Sequence, residues 1–183
     1  FSPELSAKRV ELLKDAMPRV TKMAVLLNPE NFFFAYNLQA MQVTAKTLKL
    51  ELHQFPAREP REFEGAFTAM VKQRVGALAV IEDGMLNVNP GAIADLAAKH
   101  RLPAAGNREF AVAGGLVGYG VNLPEAHRRL AAFVDKILRG AKPADMPVEQ
   151  ATHFELVANR KTAAALGLKL PQSILIRADR VIE

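Results

Sequence analysis

Four short polar stretches, each following an apolar run, hold the side chains that could bind a small molecule: "NPEN" (28–31), "EDG" (82–84), "GNRE" (106–109) and "GYGVN" (118–122). Asn28 and Asn31 offer amide donors and acceptors beside the start of a helix, whose free N–H groups suit a carboxylate. Glu82 or Asp83 could accept from an ammonium, and Arg108, next to Asn107, could pair bidentately with an anion. Together they would suit a zwitterion. The same residues also have a structural reading, with Asn28 and Asn31 as turn and N-cap residues and Arg108 as a surface cation.

Covalent catalysis has little to draw on. The serines are Ser2, Ser6 and Ser173, none in a G-x-S-x-G elbow, and there is no cysteine for a disulfide, a thiolate metal site or a nucleophile. His53, His100, His127 and His153 stand apart, without the H-x-x-x-H or H-E-x-x-H spacing that sets two imidazoles on one helix face, and they read as surface histidines. No G-x-x-x-x-G-K-[ST] occurs, and the first strand leads into "NPEN" instead of G-x-G-x-x-G. No metal and no nucleotide cofactor is therefore expected. "GGLVGYG" fits neither fingerprint and reads as a place of close backbone approach.

The polar stretches need a scaffold that brings them together, and the periodicity supplies one. Pro3 and Glu4 after Ser2 open a helix with Leu5, Val10, Leu12 and Leu13 inward, ending at Pro18. "MAVLL" is a short, wholly apolar strand, followed by a helix from about Phe32 to Leu48. Strand and helix then alternate through "LELHQFP", "EPREFEGAFTAMVKQ", "ALAVIED", "NPGAIADLAAKHR", "LPAAGN", "REFAVAG" and "GLVGYG". Five strands and four helices predict a Rossmann-like α/β domain, three-layered αβα around a parallel sheet, with polar stretches beyond the carboxyl ends of the strands.

After Gly120 the pattern changes to a long amphipathic helix stopped by Gly140, then the connector "AKPADMPVEQ". "FELVANRKTAAALGL" predicts a strand of about four residues and a short helix, and "PQSILIRADRVIE" a terminal helix or strand.

The 183 residues are 50% apolar, enough for a sizeable core. The net charge of +5 is spread among acidic residues, as on solvated helix faces, so no nucleic-acid partner is expected. No apolar run approaches the roughly 20 residues of a membrane span. The opening residue Phe1, in place of Met, raises the expectation of a longer parent.

The stretches "ELLKDAMPRVTKMAVLLNP", "IADLAAKHRLPAAGNREFAVAGGLVGYGVN" and "DKILRGAKPADMPVEQATHFELVANRKTAAALGLKLPQSILIRADRVIE" carry a resemblance over nearly the whole chain. It resembles the type I periplasmic solute-binding proteins of ABC transporters, in the subfamily related to tryptophan- and tyrosine-binding components. The resemblance implies two Rossmann-like lobes joined by crossing segments, with solute held between them and passed to a membrane permease, outside the cytoplasm. It assigns residues 1–120 to the second lobe, 121–147 to a crossing and a helix of the first lobe, and 148–183 to a return crossing and C-terminal segment. Carried over by position, solute contacts come from Asn28 and its neighbours Asn31 and Phe32, from Asp83, from Asn107 and Arg108, and from Tyr119. Two stretches depart from the pattern: Phe32, Phe33 and Phe34 stand where relatives often have small or hydroxylated residues, and "PAAGN" lacks an aromatic they commonly carry.

The resulting expectation is a non-catalytic carrier of an aromatic or branched-chain amino acid. The alternatives are the effector-binding domain of a LacI-like regulator, or an enzyme using Asp83 and Arg108. Three consecutive Phe cannot share one helix face at about 100° per residue, so Phe32 or Phe33 is expected to face the cleft. Without the first lobe, Leu130, Phe133, Val134, Ile137 and Leu138 on helix 124–140 would be left uncovered and would favour a homodimer or a folded-back helix.

Overall fold

The computed structural model describes residues 3–148 and 153–183. In helix α1 (Pro3–Ala16) the 3.6-residue period places Leu5, Arg9, Leu12 and Leu13 on one buried face. Ser2, expected to cap it, lies outside the described residues. Strand β1 (Lys22–Leu27) is buried from Met23 onward, as a strand covered on both faces must be. Then follow α2 (Phe34–Thr47), β2 (Glu51–Pro56), α3 (Phe63–Lys72), β3 (Ala77–Val80), α4 (Gly84–Asn87), α5 (Pro90–Lys99), β4 (Ala104–Gly106), α6 (Arg108–Val112) and β5 (Val117–Val121).

These five strands are parallel, in the order β2-β1-β3-β4-β5. Helix α1 packs against α2 and α9 (Gln172–Arg177), while α3 packs against α5 and α5 against α6. The result is a three-layer α/β arrangement. Phe63, Phe67 and Met70 of α3 are sealed in the core, as their spacing predicts.

Beyond the five strands predicted for the parallel domain, the strand predicted in "FELVANRKTAAALGL" and the terminal segment join the same sheet, which has seven strands. β6 (Phe154–Asn159) runs antiparallel to β5, with Val117 opposite Ala158 and Val121 opposite Phe154, and β7 (Arg180–Ile182) adds in parallel. β5 would otherwise present a row of unpaired N–H and C=O groups, which β6 satisfies. The terminal stretch is both predicted forms in turn, α9 and then β7, after α8 (Arg160–Ala165).

Helix α7 (Leu123–Leu138) buries none of its residues, and Gly140, at φ +101°, lies just beyond its last turn. Part of the predicted return crossing "MPVEQ", residues 149–150, lies outside the described residues. Among the described residues no helix is long and apolar enough to cross a membrane.

Candidate functional site

In a doubly wound sheet the crevice opens where the strand order reverses, here between β1 and β3. Asn31, past the end of β1, spans that point: its Nδ2 donates to Asp83 Oδ2 at 2.9 Å and to the Glu82 carbonyl at 3.3 Å. Its Oδ1 accepts from the Phe33 N–H at 2.9 Å, and Asn28 Oδ1 accepts from the Glu30 N–H at 3.0 Å. Both amides thus shape the turn, as Asx residues do. The turn delays the helix, which begins at Phe34 rather than at Phe32 as the periodicity predicted.

Asp83 is buried, and its Oδ1 caps α4 by accepting from the Leu86 N–H at 3.0 Å. Asn107 caps α6 in the same way through the Phe110 N–H at 2.9 Å, and its Nδ2 donates to Asn87 Oδ1 at 3.0 Å. Asn87 Nδ2 in turn donates to Glu82 Oε1 at 2.7 Å. The other oxygen of Glu82 takes Arg9 Nη2 at 2.5 Å, and Arg9 Nε reaches the Tyr119 carbonyl at 2.9 Å. One hydrogen-bonded network therefore ties the tips of β1, β3 and β4 to β5.

Glu82 is consequently turned inward onto Arg9 instead of outward toward an ammonium. Arg9 and Asn87 are absent from the sequence reading. Arg9 nevertheless left a trace there, since it sits four residues after Leu5 and three and four before Leu12 and Leu13, on the apolar stripe.

Arg108 is committed as well. Its Nε pairs with Glu155 of β6 and its Nη1 with Glu109 at 3.3 Å, and the hydrogen bond it donates to Glu155 is the main cause holding its pKa above the ordinary arginine value.

The rings differ in exposure. Phe32 is 81% and Phe33 62% exposed, set edge to face with centroids 5.4 Å apart, while Phe34 packs against the core. Tyr119 is half-buried, its ring 6.2 Å from that of Phe154. Of the seven residues singled out, Asp83 and Asn107 are buried; Asn28, Asn31, Arg108 and Tyr119 are half-buried; Phe32 is open. His100 is not a simple surface histidine, for its ring stacks on Phe67 and its buried Nε2 has no hydrogen-bond partner, with Glu64 Oε1 4.0 Å away. Among the described residues no three His, Asp or Glu gather in a way that could hold a metal ion.

A 2-1-3-4-5 parallel sheet with polar loops at its carboxyl edge is a doubly wound α/β arrangement, consistent with a periplasmic-binding-protein fold. The chain belongs to the ABC transporter substrate binding protein family, whose model matches residues 3–182. No curated protein sequence matches it significantly. Among solved structures, an ABC domain in complex with L-Trp from Streptococcus pneumonia is 23% identical, covering 97% of this chain and 62% of its own, with a TM-score of 0.85. A conserved domain protein from Vibrio cholerae is 21% identical over 96% of this chain and 60% of its own, also at 0.85. The ligand-free, open structure of a substrate-binding protein with adhesive properties from Clostridium difficile is 20% identical over 96% and 59%, at 0.70. At these identities the likeness is one of fold, and the chain spans between 59% and 62% of the three lengths.

Proposed function

We propose that the chain is the second lobe, with crossing segments, of an extracytoplasmic carrier that captures an aromatic or branched-chain amino acid and delivers it to an ABC permease without chemical change. The observation that carries this reading is the polar carboxyl edge beside the open Phe32 and Phe33 rings. A flat, apolar solute stacks on such a ring, and amide and cationic groups nearby recognise its charged ends. Phe32, Asn28, Arg108 and Tyr119 make the contacts, while Asn31, Asp83 and Asn107 hold the loops that present them. The L-Trp in the Streptococcus structure supports the aromatic class.

In this reading residues 1–120 form the lobe, 121–147 cross to the opposing one, and 148–183 return. The apolar face of α7 then packs in the opposing lobe; in the 183-residue chain alone it pairs with a second copy. A LacI-like effector domain shares the fold, and the family match favours transport.

The test is an NMR titration of the chain with single amino acids. Binding of an aromatic or branched amino acid should move the backbone signals of 28–34, 83–86 and 107–110 together. Shifts elsewhere only, or conversion of the added amino acid to a product, would overturn the proposal.

A further inference from the structure

We propose that Glu155 is the positioning residue that fixes the direction in which α7 leaves the sheet. Within one copy of the chain helix α7 cannot orient itself by packing: it has no buried residue, and only Leu123, Glu125, Ala126 and Phe133 are even half-buried. Its attachment is at the root. There Asn122 Oδ1 caps the helix by accepting from the Glu125 N–H at 3.0 Å, while its Nδ2 donates to Glu155 Oε1 at 2.5 Å. Glu155 Oε2 accepts from Arg108 Nε. Arg108 in turn opens α6, which is seated in the core by Phe110 and Ala111.

One carboxylate thus joins three elements: the start of α6, strand β6 and the cap of α7. Glu155 stands opposite Gly120 across the β5–β6 ladder. The Arg108 and Glu155 side chains are 18% and 16% exposed, so this is no fully solvated pair whose charges water screens. Both hydrogen bonds to Glu155 have a charged acceptor, which shortens and strengthens them.

Leverage makes the root decisive. At about 1.5 Å per residue α7 is about 24 Å long, so a tilt of about 10° at Asn122 moves its far end by about 4 Å. Where the carrier reading above holds, and this consequence rests on it, α7 belongs to the opposing lobe and Glu155 sets the resting angle of the cleft. The orientation itself does not depend on that reading.

The absence of cysteine in the sequence permits clean spin labelling. Val71→Cys on α3 and Ala132→Cys on α7, both exposed positions, give one label on the sheet layer and one on the helix. Double electron–electron resonance on this pair, in a Val134→Glu, Leu138→Lys background that stops α7 pairing with a second copy, diluted into an excess of unlabelled chain and with no solute, reads the orientation of α7. The otherwise unchanged chain should show a single narrow distance peak. Glu155→Gln removes the charge and one acceptor; Asn122→Ser keeps a capping oxygen but cannot reach Glu155. Both should lose the narrow peak while circular dichroism and thermal midpoint stay near those of the parent. A narrow peak retained in both variants, or absent from the unchanged chain, would overturn the proposal. A failed amino-acid titration would leave this peak untouched, so the two readings fail separately.

Discussion

Arg9 and Glu82, 73 residues apart in the chain, meet at 2.5 Å with only 1% and 9% of their side chains exposed. Burying two charges is costly, and they are tolerated here because each finds further partners: the Tyr119 and Val80 carbonyls for Arg9, the Asn87 amide for Glu82. Arg9→Met should leave the Glu82 carboxylate buried and uncompensated, lowering unfolding stability by about 3–5 kcal/mol. Arg9→Met combined with Glu82→Leu should recover much of that loss. Urea denaturation of the single and double variants reads both, and a single-variant loss below about 1 kcal/mol would refute a compensated pair.

Gly118 tests how tightly β5 approaches the rim. A Cβ there would lie 2.6 Å from the Asn107 carbonyl and 2.7 Å from Ala111 Cβ, and a backbone carbonyl cannot rotate away as a flexible side chain can. Gly118→Ala should destabilise by about 1–3 kcal/mol through overpacking. It should also displace Asn107, visible as altered Asn107 and Phe110 amide shifts in an otherwise native spectrum. An unchanged spectrum and stability would mean the strand has slack at this point.

Phe32 separates binding from stability. Its ring is mostly in water, so Phe32→Ala should change unfolding stability by no more than about 0.5 kcal/mol. Affinity for an aromatic amino acid should nevertheless fall about tenfold if stacking contributes about 1.4 kcal/mol. The same titration that tests solute capture measures it. Unchanged affinity would move the contact away from this ring.

Helix α7 carries Leu130, Val134, Ile137 and Leu138 in the open, with Leu138 82% exposed. Soluble monomers seldom leave so continuous an apolar stripe in water. The 183-residue chain should sediment as a dimer at micromolar concentration, and Val134→Glu with Leu138→Lys should return it to monomer. A monomer before substitution would remove the dimer from the account.

How much was legible beforehand depended on the range of the interaction concerned. Asn28 and Asn31 were legible as turn residues because a side-chain oxygen bonds an N–H two residues ahead, whereas Asp83, Asn107 and Asn122 obey the same local rule at three residues but were not read as caps. The start of α2 was misplaced by two residues because the Asn31 turn outcompetes the helix for Phe32 and Phe33. The partners of Arg108 and Arg9 could not be read, since Glu155 and Glu82 lie 47 and 73 residues away.

The amino-acid order alone thus determined the alternation of strands and helices, the apolar faces and the polar loops, all consequences of periodicity and local hydrogen bonding. Only the tertiary structure decided that β6 and β7 extend the same sheet, that Glu82 turns inward to Arg9, and that Arg108 is held by Glu155. Those outcomes depend on which distant charge or unpaired strand edge is brought alongside, a matter of chain closure and burial that no local pattern encodes.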